Sequence, residues 1–275
     1  MQSFRDWELL VIDDGSSDGT SQAIEPLIGD GIRCIRQEHS GVSAARNRGI
    51  RAARYDWIAF LDSDDYWHKQ KLQQQVEALE SNPEYQAAHT DEIWIRSGVR
   101  VNPRKHHRKR SGWMFHHCLR LCLISPSSIL LHRNLLEESG LFDESYPVCE
   151  DYELWLRITA RRPVLLLPEK LVVKRGGHAD QLSRSRWGLD RYRVRALLKS
   201  VESGCLTPQQ GQWAAAEIVR KAGILEQGFA KRGKMDRASH YGDLRRRFGQ
   251  GDSDPESSGR GTSLPRRSKF ARGKR

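Results

Sequence analysis

Three carboxylates lie within four positions, directly after a short apolar run, in the segment Trp-Ile-Ala-Phe-Leu-Asp-Ser-Asp-Asp-Tyr-Trp at residues 57–67. The apolar run is typical of a buried strand, and ligands of open α/β sheets bind where such strands end. Carboxylates this close repel one another unless a cation or hydrogen-bond donors compensate them. Hard divalent cations commonly bind one or two carboxylates together with substrate phosphates. The segment therefore predicts a site for a metal ion and a phosphorylated ligand; the alternative is an acidic loop before a helix.

Two further segments place acidic side chains where an element begins or ends. Asp-Asp-Gly-Ser-Ser-Asp-Gly at residues 13–19 follows a predicted strand, and Glu-Asp at 150–151 opens a predicted helix. Both also have an ordinary structural explanation. Asp and Gly suit the turn between a strand and a helix, and acidic residues in the first turn of a helix complement its dipole.

The elements that position these side chains alternate between strand and helix over the first 80 residues. We predict strands at residues 8–13, 32–35 and 57–61, and helices at 20–27, 41–54 and 67–79. This alternation predicts a largely parallel sheet covered by helices.

After Pro83 the predicted elements are less regular. The patterns predict strands at residues 85–95 and 127–132, helices at 114–124 and 150–161, and short apolar stretches at 164–167 and 170–173. Helical patterns dominate residues 187–248. The remaining residues, 249–275, are rich in Gly, Ser, Pro and Arg, and this composition predicts disorder.

Four motifs in fixed order resemble those of family 2 glycosyltransferases. They are Val-Ile-Asp-Asp-Gly-Ser-Ser-Asp at 11–18, Ser-Ala-Ala-Arg-Asn-Arg-Gly at 43–49, Phe-Leu-Asp-Ser-Asp-Asp-Tyr-Trp at 60–67 and Glu-Asp-Tyr-Glu-Leu-Trp at 150–155. The resemblance implies an α/β fold, the Rossmann-like A-type glycosyltransferase fold, with a helical C-terminal extension. It implies a catalytic domain at residues 1–186, a helical extension at 187–248 and a disordered basic tail at 249–275.

The resemblance also implies how the donor is bound. Asp14, with Asp13 beside it, is expected to contact the nucleotide base, and Arg46 is expected near the donor phosphates. Asp62 is expected to face the ribose, and Asp64 to hold a divalent metal, manganese or magnesium, on the diphosphate. For Arg46 the alternative is a surface arginine on a helix.

On the acceptor side, Asp151 matches the family's proposed general base, and Glu150 is expected to position Asp151 or the acceptor. Such a base takes the proton of the acceptor hydroxyl while the anomeric carbon is attacked from behind. His178, after Gly-Gly, is expected at the metal or the diphosphate, although a lone histidine is more often structural.

Together these assignments predict a cytoplasmic, metal-dependent, inverting glycosyltransferase that moves a sugar from a UDP-sugar to a glycan, polysaccharide or lipid-linked acceptor. Two departures from the family pattern qualify the prediction. The chain opens at what resembles the end of the family's first helix, so the usual first strand and helix are expected to be missing from it. The alternative is therefore a catalytically inactive basic binding module. In addition, Gln-Leu-Ser-Arg at 181–184 departs from the Q-x-x-R-W of processive synthases, which predicts one sugar per encounter.

The net charge of +11 predicts anionic partners. Positive charge concentrates at residues 100–110, 184–195 and from 231 to the end, with few interleaved aromatic residues, which disfavours specific nucleic-acid binding. A peripheral contact with the inner face of an anionic membrane is a further expectation. We predict that His106 and His107 lie in a solvated basic loop that meets an anionic acceptor. Five cysteines without a Cys-x-x-Cys pair predict reduced thiols.

Overall fold

The computed structural model describes residues 2–29, 31–102, 104–177 and 187–250. His178 and residues 251–275 of the predicted disordered tail lie outside the described residues, so the structure does not bear on their predicted roles. Among the described residues, no helix is both long enough and apolar enough to cross a membrane.

The first unit is a pair of parallel strands with a helix packed on it. Its elements are β1 (Leu9–Asp13), α1 (Thr20–Ile24), β2 (Ile32–Arg36) and α2 (Val42–Ala52). Leu9 pairs with Ile32, and the register continues to Asp13 opposite Arg36. Helix α2 packs closely on β1 at Gly49, where a Cβ would come into van der Waals contact with Ile12 Cγ1 at 3.4 Å. This unit places the turn after β1 beside the N-terminus of α2.

The second unit is a six-stranded sheet. Its strands are β3 (Trp57–Ala59), β4 (Tyr66–Trp67), β5 (Ala87–Arg96), β6 (Val99–Val101), β7 (Ile129–His132) and β8 (Leu165–Gly176). The order is β3-β7-β5-β8-β4, and β6 pairs with β5. Only β5 and β8 run parallel in this sheet.

The prediction of a largely parallel sheet is therefore wrong, since four of the six strand pairings among the described residues are antiparallel. Short apolar runs mark burial but carry no information about strand direction. The two predicted stretches at 164–167 and 170–173 are one long strand, β8, with a register irregularity opposite Asp91.

Strands β1 and β3 each have one unpaired edge among the described residues. Within the described chain, β1 pairs only with β2 and β3 pairs only with β7. Leu9 on β1 and Trp57 on β3 are 40% and 38% exposed.

The helices cover the six-stranded sheet and extend beyond it. They are α3 (Lys71–Glu80), α4 (Phe115–Cys118), α5 (Arg133–Ser139), α6 (Glu150–Thr159), α7 (Asp190–Glu202), α8 (Pro208–Ala230) and α9 (Met235–Gly249). Helix α6 lies in the core, where Leu154, Trp155 and Ile158 are buried. The helix predicted at 114–124 is wrong beyond Cys118, because the chain there leaves the helix and turns toward the core.

The helical C-terminal extension is confirmed. It contains α7, α8 and α9, and α8 begins with a capping box in which Thr207 and Gln210 exchange hydrogen bonds. Pro208 occupies the first turn, where its missing N–H costs no hydrogen bond.

Candidate active site

The turn between β3 and β4 carries the three clustered carboxylates. The Asp65 amide donates to the Asp62 carbonyl at 3.0 Å and closes the turn. The Asp62 amide donates to Ser127 Oγ at 3.1 Å, and Trp67 Nε1 donates to the Ser127 carbonyl at 2.7 Å. The 3-10 turn at Pro126–Ser128 thus fixes the acidic turn where the sequence predicts it, directly beyond a buried strand.

Arg46 joins this turn to the start of α6. Its Nη2 donates to Asp62 Oδ1 at 2.8 Å, and its Nη1 donates to Glu150 Oε1 at 2.6 Å. The Arg46 side chain is only 12% exposed, and its guanidinium lies 5.3 Å from the centroid of the Phe142 ring. Arg46 is therefore a buried residue rather than a surface arginine, and it brings three of the four motifs into one cluster.

Asp64 lies on a separate wall of the same site, beside a cavity of about 370 Å³. The cavity is also lined by the turn between β5 and β6 and by the end of β8, through Ile95, Ser97, Gly98, Arg175, Gly176 and Gly177. Among the described residues, no group of three or more His, Cys, Asp or Glu side chains is arranged to hold a metal ion. A single cavity carboxylate still fits a magnesium-like ion that takes its other ligands from substrate phosphates and water.

Two further charged residues belong to this region: Asp65, one of the three predicted carboxylates but without an assigned role, and Lys174, which the sequence did not indicate. Asp65 Oδ1 accepts the Arg175 N–H at 2.9 Å, whereas its buried Oδ2 has no hydrogen-bond partner among the described residues. Burial raises the pKa of Asp65 to about 6. Burial alone would lower the pKa of Lys174, but neighbouring carboxylates, those of Glu92, Asp62, Asp65 and Asp151, raise it. Lys174 is thus a second cation near these carboxylates. The sequence pattern of its strand, β8, does not indicate this position.

Asp151 lies in the first turn of α6, next to Glu150. Its Oδ1 accepts the Tyr152 N–H at 2.6 Å, and the Cys122 thiol lies 3.3 Å from its Oδ2 as a donor. The same thiol lies 3.1 Å from the Ile124 carbonyl oxygen, its other possible acceptor. Burial and the charge of Asp151 raise the pKa of Glu150, and Arg46 opposes this shift. Cys122 was missed because its segment was predicted to be helix.

Asp13 and Asp14 lie apart from this cluster and are engaged by the protein's own donors. Asp13 accepts the Ser16 N–H at 2.8 Å and the Ser21 hydroxyl at 2.7 Å. These hydrogen bonds lower the pKa of Asp13 to about 2.

Asp14 holds the loop that leads into α2. Its Oδ1 accepts from Gln37 Nε2 at 2.7 Å and from the Ser40 N–H at 2.9 Å, and its Oδ2 accepts the Gly41 N–H at 2.8 Å. Although burial acts in the opposite direction, these bonds lower its pKa. Since Gly41 precedes α2 and Arg46 lies on it, this helix links the first acidic turn to the second.

The histidine pairs do not form a metal site within the described chain. His107 packs edge-on against Trp94, with ring centroids 5.1 Å apart, and His106 is exposed. His116 packs against Trp213 at 4.7 Å. This agrees with the prediction of a basic loop for the first pair.

Comparisons with known proteins give the site its context. Residues 1–136 match the sequence model described as Glycosyl transferase family 2. An uncharacterized glycosyltransferase of Rickettsia felis is 32% identical over 60% of this chain and 27% of its own length. The Escherichia coli enzyme named UDP-Glc:alpha-D-GlcNAc-diphosphoundecaprenol beta-1,3-glucosyltransferase WfaP is 31% identical over 58% of this chain and 61% of its own. The chain thus spans less than two thirds of either relative.

Two solved structures share the fold at low sequence identity. Staphylococcus aureus TarS, crystallised with UDP-GlcNAc, has a TM-score of 0.60 and 16% identity over 91% of this chain and 85% of that one. The Pyrobaculum calidifontis mannosyltransferase PcManGT, in complex with GDP-Man and Mn2+, has a TM-score of 0.57 and 18% identity over 92% and 81%. The fold is thus the A-type glycosyltransferase fold, and the sequence match places residues 1–136, just under half of the chain, in glycosyl transferase family 2.

Proposed function

We propose that this chain transfers a sugar, with inversion, from a UDP-sugar to a hydroxyl group of a lipid-linked or polysaccharide acceptor. The observation that carries the proposal is the position of Arg46, which links Asp62 of the donor motif to Glu150 of the acceptor motif. A site for group transfer has to hold donor and acceptor side by side. One buried cation shared by the two motifs supplies that proximity.

The donor is proposed to lie across the two acidic turns. In this proposal Asp14 contacts the base, Asp13 supports the turn, and Asp62 contacts the ribose. Asp64, at the cavity, holds manganese or magnesium together with the diphosphate, with His178 as a further contact. When bound, such an ion neutralises charge on the departing nucleoside diphosphate. The E. coli relative is named for UDP-Glc, and the TarS structure contains UDP-GlcNAc, which favours a UDP-sugar.

The acceptor side is assigned to the start of α6. The proton of the acceptor hydroxyl moves to a carboxylate oxygen of Asp151 as the hydroxyl oxygen attacks the anomeric carbon. Glu150, held by Arg46, fixes the helix start next to that carboxylate. The name of the E. coli relative specifies a diphosphoundecaprenol-linked acceptor, which favours a lipid-linked acceptor here and a position at the cytoplasmic face of a membrane.

A panel of nucleotide sugars, incubated with the chain and Mn²⁺, tests the proposal through release of the nucleoside diphosphate. We expect a UDP-sugar to be hydrolysed slowly and Asp64→Ala to abolish the release. A basic binding module without catalysis remains the alternative, motivated by the net charge of +11. No release from any sugar nucleotide, together with salt-dependent polyanion binding, would favour that alternative.

A further inference from the structure

One stretch of the chain combines strong positive charge with an ordered backbone. No Asp or Glu occurs between residues 96 and 136 of the sequence. Six arginine and lysine side chains at residues 96–110 are exposed, namely Arg96, Arg100, Arg104, Lys105, Arg108 and Arg110. We call these six the basic loop surface. None of the six forms an ion pair with another described residue, so their charge faces outward uncompensated.

Contacts with β5 anchor this loop, and several of them are made by residues that alternate with the exposed ones. Lys109 forms a buried ion pair with Glu92 and donates to Ser128 Oγ at 3.1 Å. The Arg110 carbonyl oxygen lies 2.7 Å from His89 Nε2. His107 packs on Trp94. These contacts fix the backbone of the loop, so binding through the exposed Arg108 and Arg110 requires little further ordering of that backbone.

The basic loop surface borders the candidate donor cavity. Ile95, Ser97 and Gly98, which line that cavity, belong to the same β5–β6 hairpin as Arg96 and Arg100. Two exposed apolar side chains accompany the charges: Val99 is 65% exposed and Trp113 is 66% exposed. Exposed tryptophan beside Lys and Arg is the composition of surfaces that lie at the boundary between headgroups and acyl chains.

We propose that the basic loop surface, with Val99 and Trp113, docks the protein on an anionic lipid bilayer and turns the cavity toward that bilayer. The inference rests on the proposed function in one respect, because docking on a bilayer would bring the site to a lipid-linked acceptor. Single-stranded nucleic acid is the less suitable occupant, since it needs aromatic side chains open for stacking. Here Trp94 contacts both His107 and Arg96, which lies 5.5 Å from its ring centroid, so of these two tryptophans Trp113 alone is open, whereas such sites stack successive bases.

Binding to vesicles of phosphatidylcholine, with or without phosphatidylglycerol, tests the proposal in the absence of any nucleotide. The loop variant R100E/R104E/K105E/R108E should bind the anionic vesicles about a hundredfold or more weaker than wild type, because each basic residue near such a surface contributes about fivefold. The matched control is K231E/K234E/R237E/R247E, which changes the net charge equally at exposed positions of the helical extension. Its affinity should stay within about tenfold of wild type, because only diffuse attraction is lost.

Two further variants keep the test decisive. R104Q/R108Q removes charge without reversing it and should weaken binding at least about tenfold if the fourfold variant does not fold. Trp113→Ala should reduce the binding that persists at high salt, since that part comes from apolar contact. Circular dichroism confirms that each variant is folded.

Equal losses in the loop variant and the control, or no preference of wild type for anionic vesicles, would overturn the proposal. Tighter binding of a single-stranded RNA oligonucleotide than of the vesicles, lost in the loop variant, would also overturn it. UDP binding by the loop variant is measured separately and should equal that of wild type. If the wild-type protein binds the anionic vesicles but does not bind UDP, this inference is supported and the proposed function is contradicted.

Discussion

The two acidic turns, after β1 and after β3, have similar sequences but compensate their charge in different ways. Asp13 and Asp14 are held by amide and hydroxyl donors, and the pKa of each is lowered. The second turn and the start of α6 share two cations, Arg46 and Lys174, and burial raises the pKa of Glu150. In the first arrangement the hydrogen bonds of Asp13 and Asp14 fix loops. In the second, largely buried carboxylates share two cations. Hydrogen-bond donors thus compensate the acids of the first turn and buried cations those of the second, although both turns are proposed to contact the donor nucleotide.

Of the substitutions considered, Arg46→Met should have the largest effect on the stability of the second turn and the start of α6. It leaves Asp62 and Glu150 without their shared cation, and removing one partner of a buried pair costs about 3–5 kcal/mol. Because Asp62 is 31% exposed, we expect the lower end, about 3 kcal/mol, of lost unfolding free energy, measured by urea denaturation. Arg48→Met, exposed on the same helix, is the control and should stay within about 0.5 kcal/mol. Equal stability of the two variants would show that Arg46 does not hold the site together.

Asp151→Asn should separate catalysis from binding. The amide keeps the shape of the carboxylate but cannot take a proton at neutral pH, so turnover should fall about a hundredfold or more. UDP affinity should be unchanged, because the proposed donor contacts lie on other residues. Asp236→Asn, an exposed acid in the first turn of α9, is the matched control for a purely helix-stabilising role. Near-normal transfer rates in a folded Asp151→Asn protein would remove Asp151 from the mechanism.

The first acidic turn and the start of α6 should respond to acid in opposite directions. Asp13 has a pKa of about 2 in the folded protein, so its contribution to stability is complete above its unfolded value of 3.8 and is lost as pH falls toward 2. The pKa of Glu150 is raised above 4.5, so its charge costs stability as pH rises through that raised value, and acid relieves the cost.

Urea denaturation of Asp13→Asn and Glu150→Gln against wild type, as a function of pH, measures this contrast. The stability deficit of Asp13→Asn should shrink as pH falls from 4 toward 2. Glu150→Gln should compare best with wild type at neutral pH and worst in acid. Parallel pH dependence of the two differences would contradict the distinction between the first acidic turn and the start of α6.

Cys122→Ala should have the smallest effect. It removes the thiol that lies 3.3 Å from Asp151 Oδ2, a contact worth about 0.5–1.5 kcal/mol as a hydrogen bond. We expect kcat to fall by about twofold to tenfold with the donor KM unchanged. Cys122→Ser keeps a donor and should restore kcat, and Cys205→Ala, at an exposed thiol, serves as control. A kcat that is unchanged in Cys122→Ala would show that the thiol does not position Asp151.

The sequence predicted the parts of the site that lie in local motifs. Asp62 and Asp64 follow an apolar run, which predicts a ligand site, whereas the roles expected for Glu150 and Asp151 came from the resemblance to family 2 glycosyltransferases. The link through Arg46 was not predictable, because it joins residues 104 positions apart in the chain. The donor role assigned to Arg46 stays a prediction.

Lys174 and Cys122 show why the rest was missed. Lys174 lies in β8, whose alternation gives no sign that it faces four carboxylates from distant segments. Cys122 lies in a segment whose apolar pattern predicts helix, although tertiary packing turns the chain there. Strand direction was missed for the same reason, since pairing is decided by contacts between distant residues.

The central claim is that a donor nucleotide lies across both acidic turns, with its diphosphate at Asp64. Isothermal titration calorimetry of UDP, with and without Mn²⁺, tests this claim most directly. We expect Mn²⁺ to strengthen UDP binding to wild type, and Asp64→Ala to retain its fold while losing that strengthening. Wild-type protein that binds no UDP, or an Asp64→Ala protein with unchanged Mn²⁺ dependence, would contradict the account.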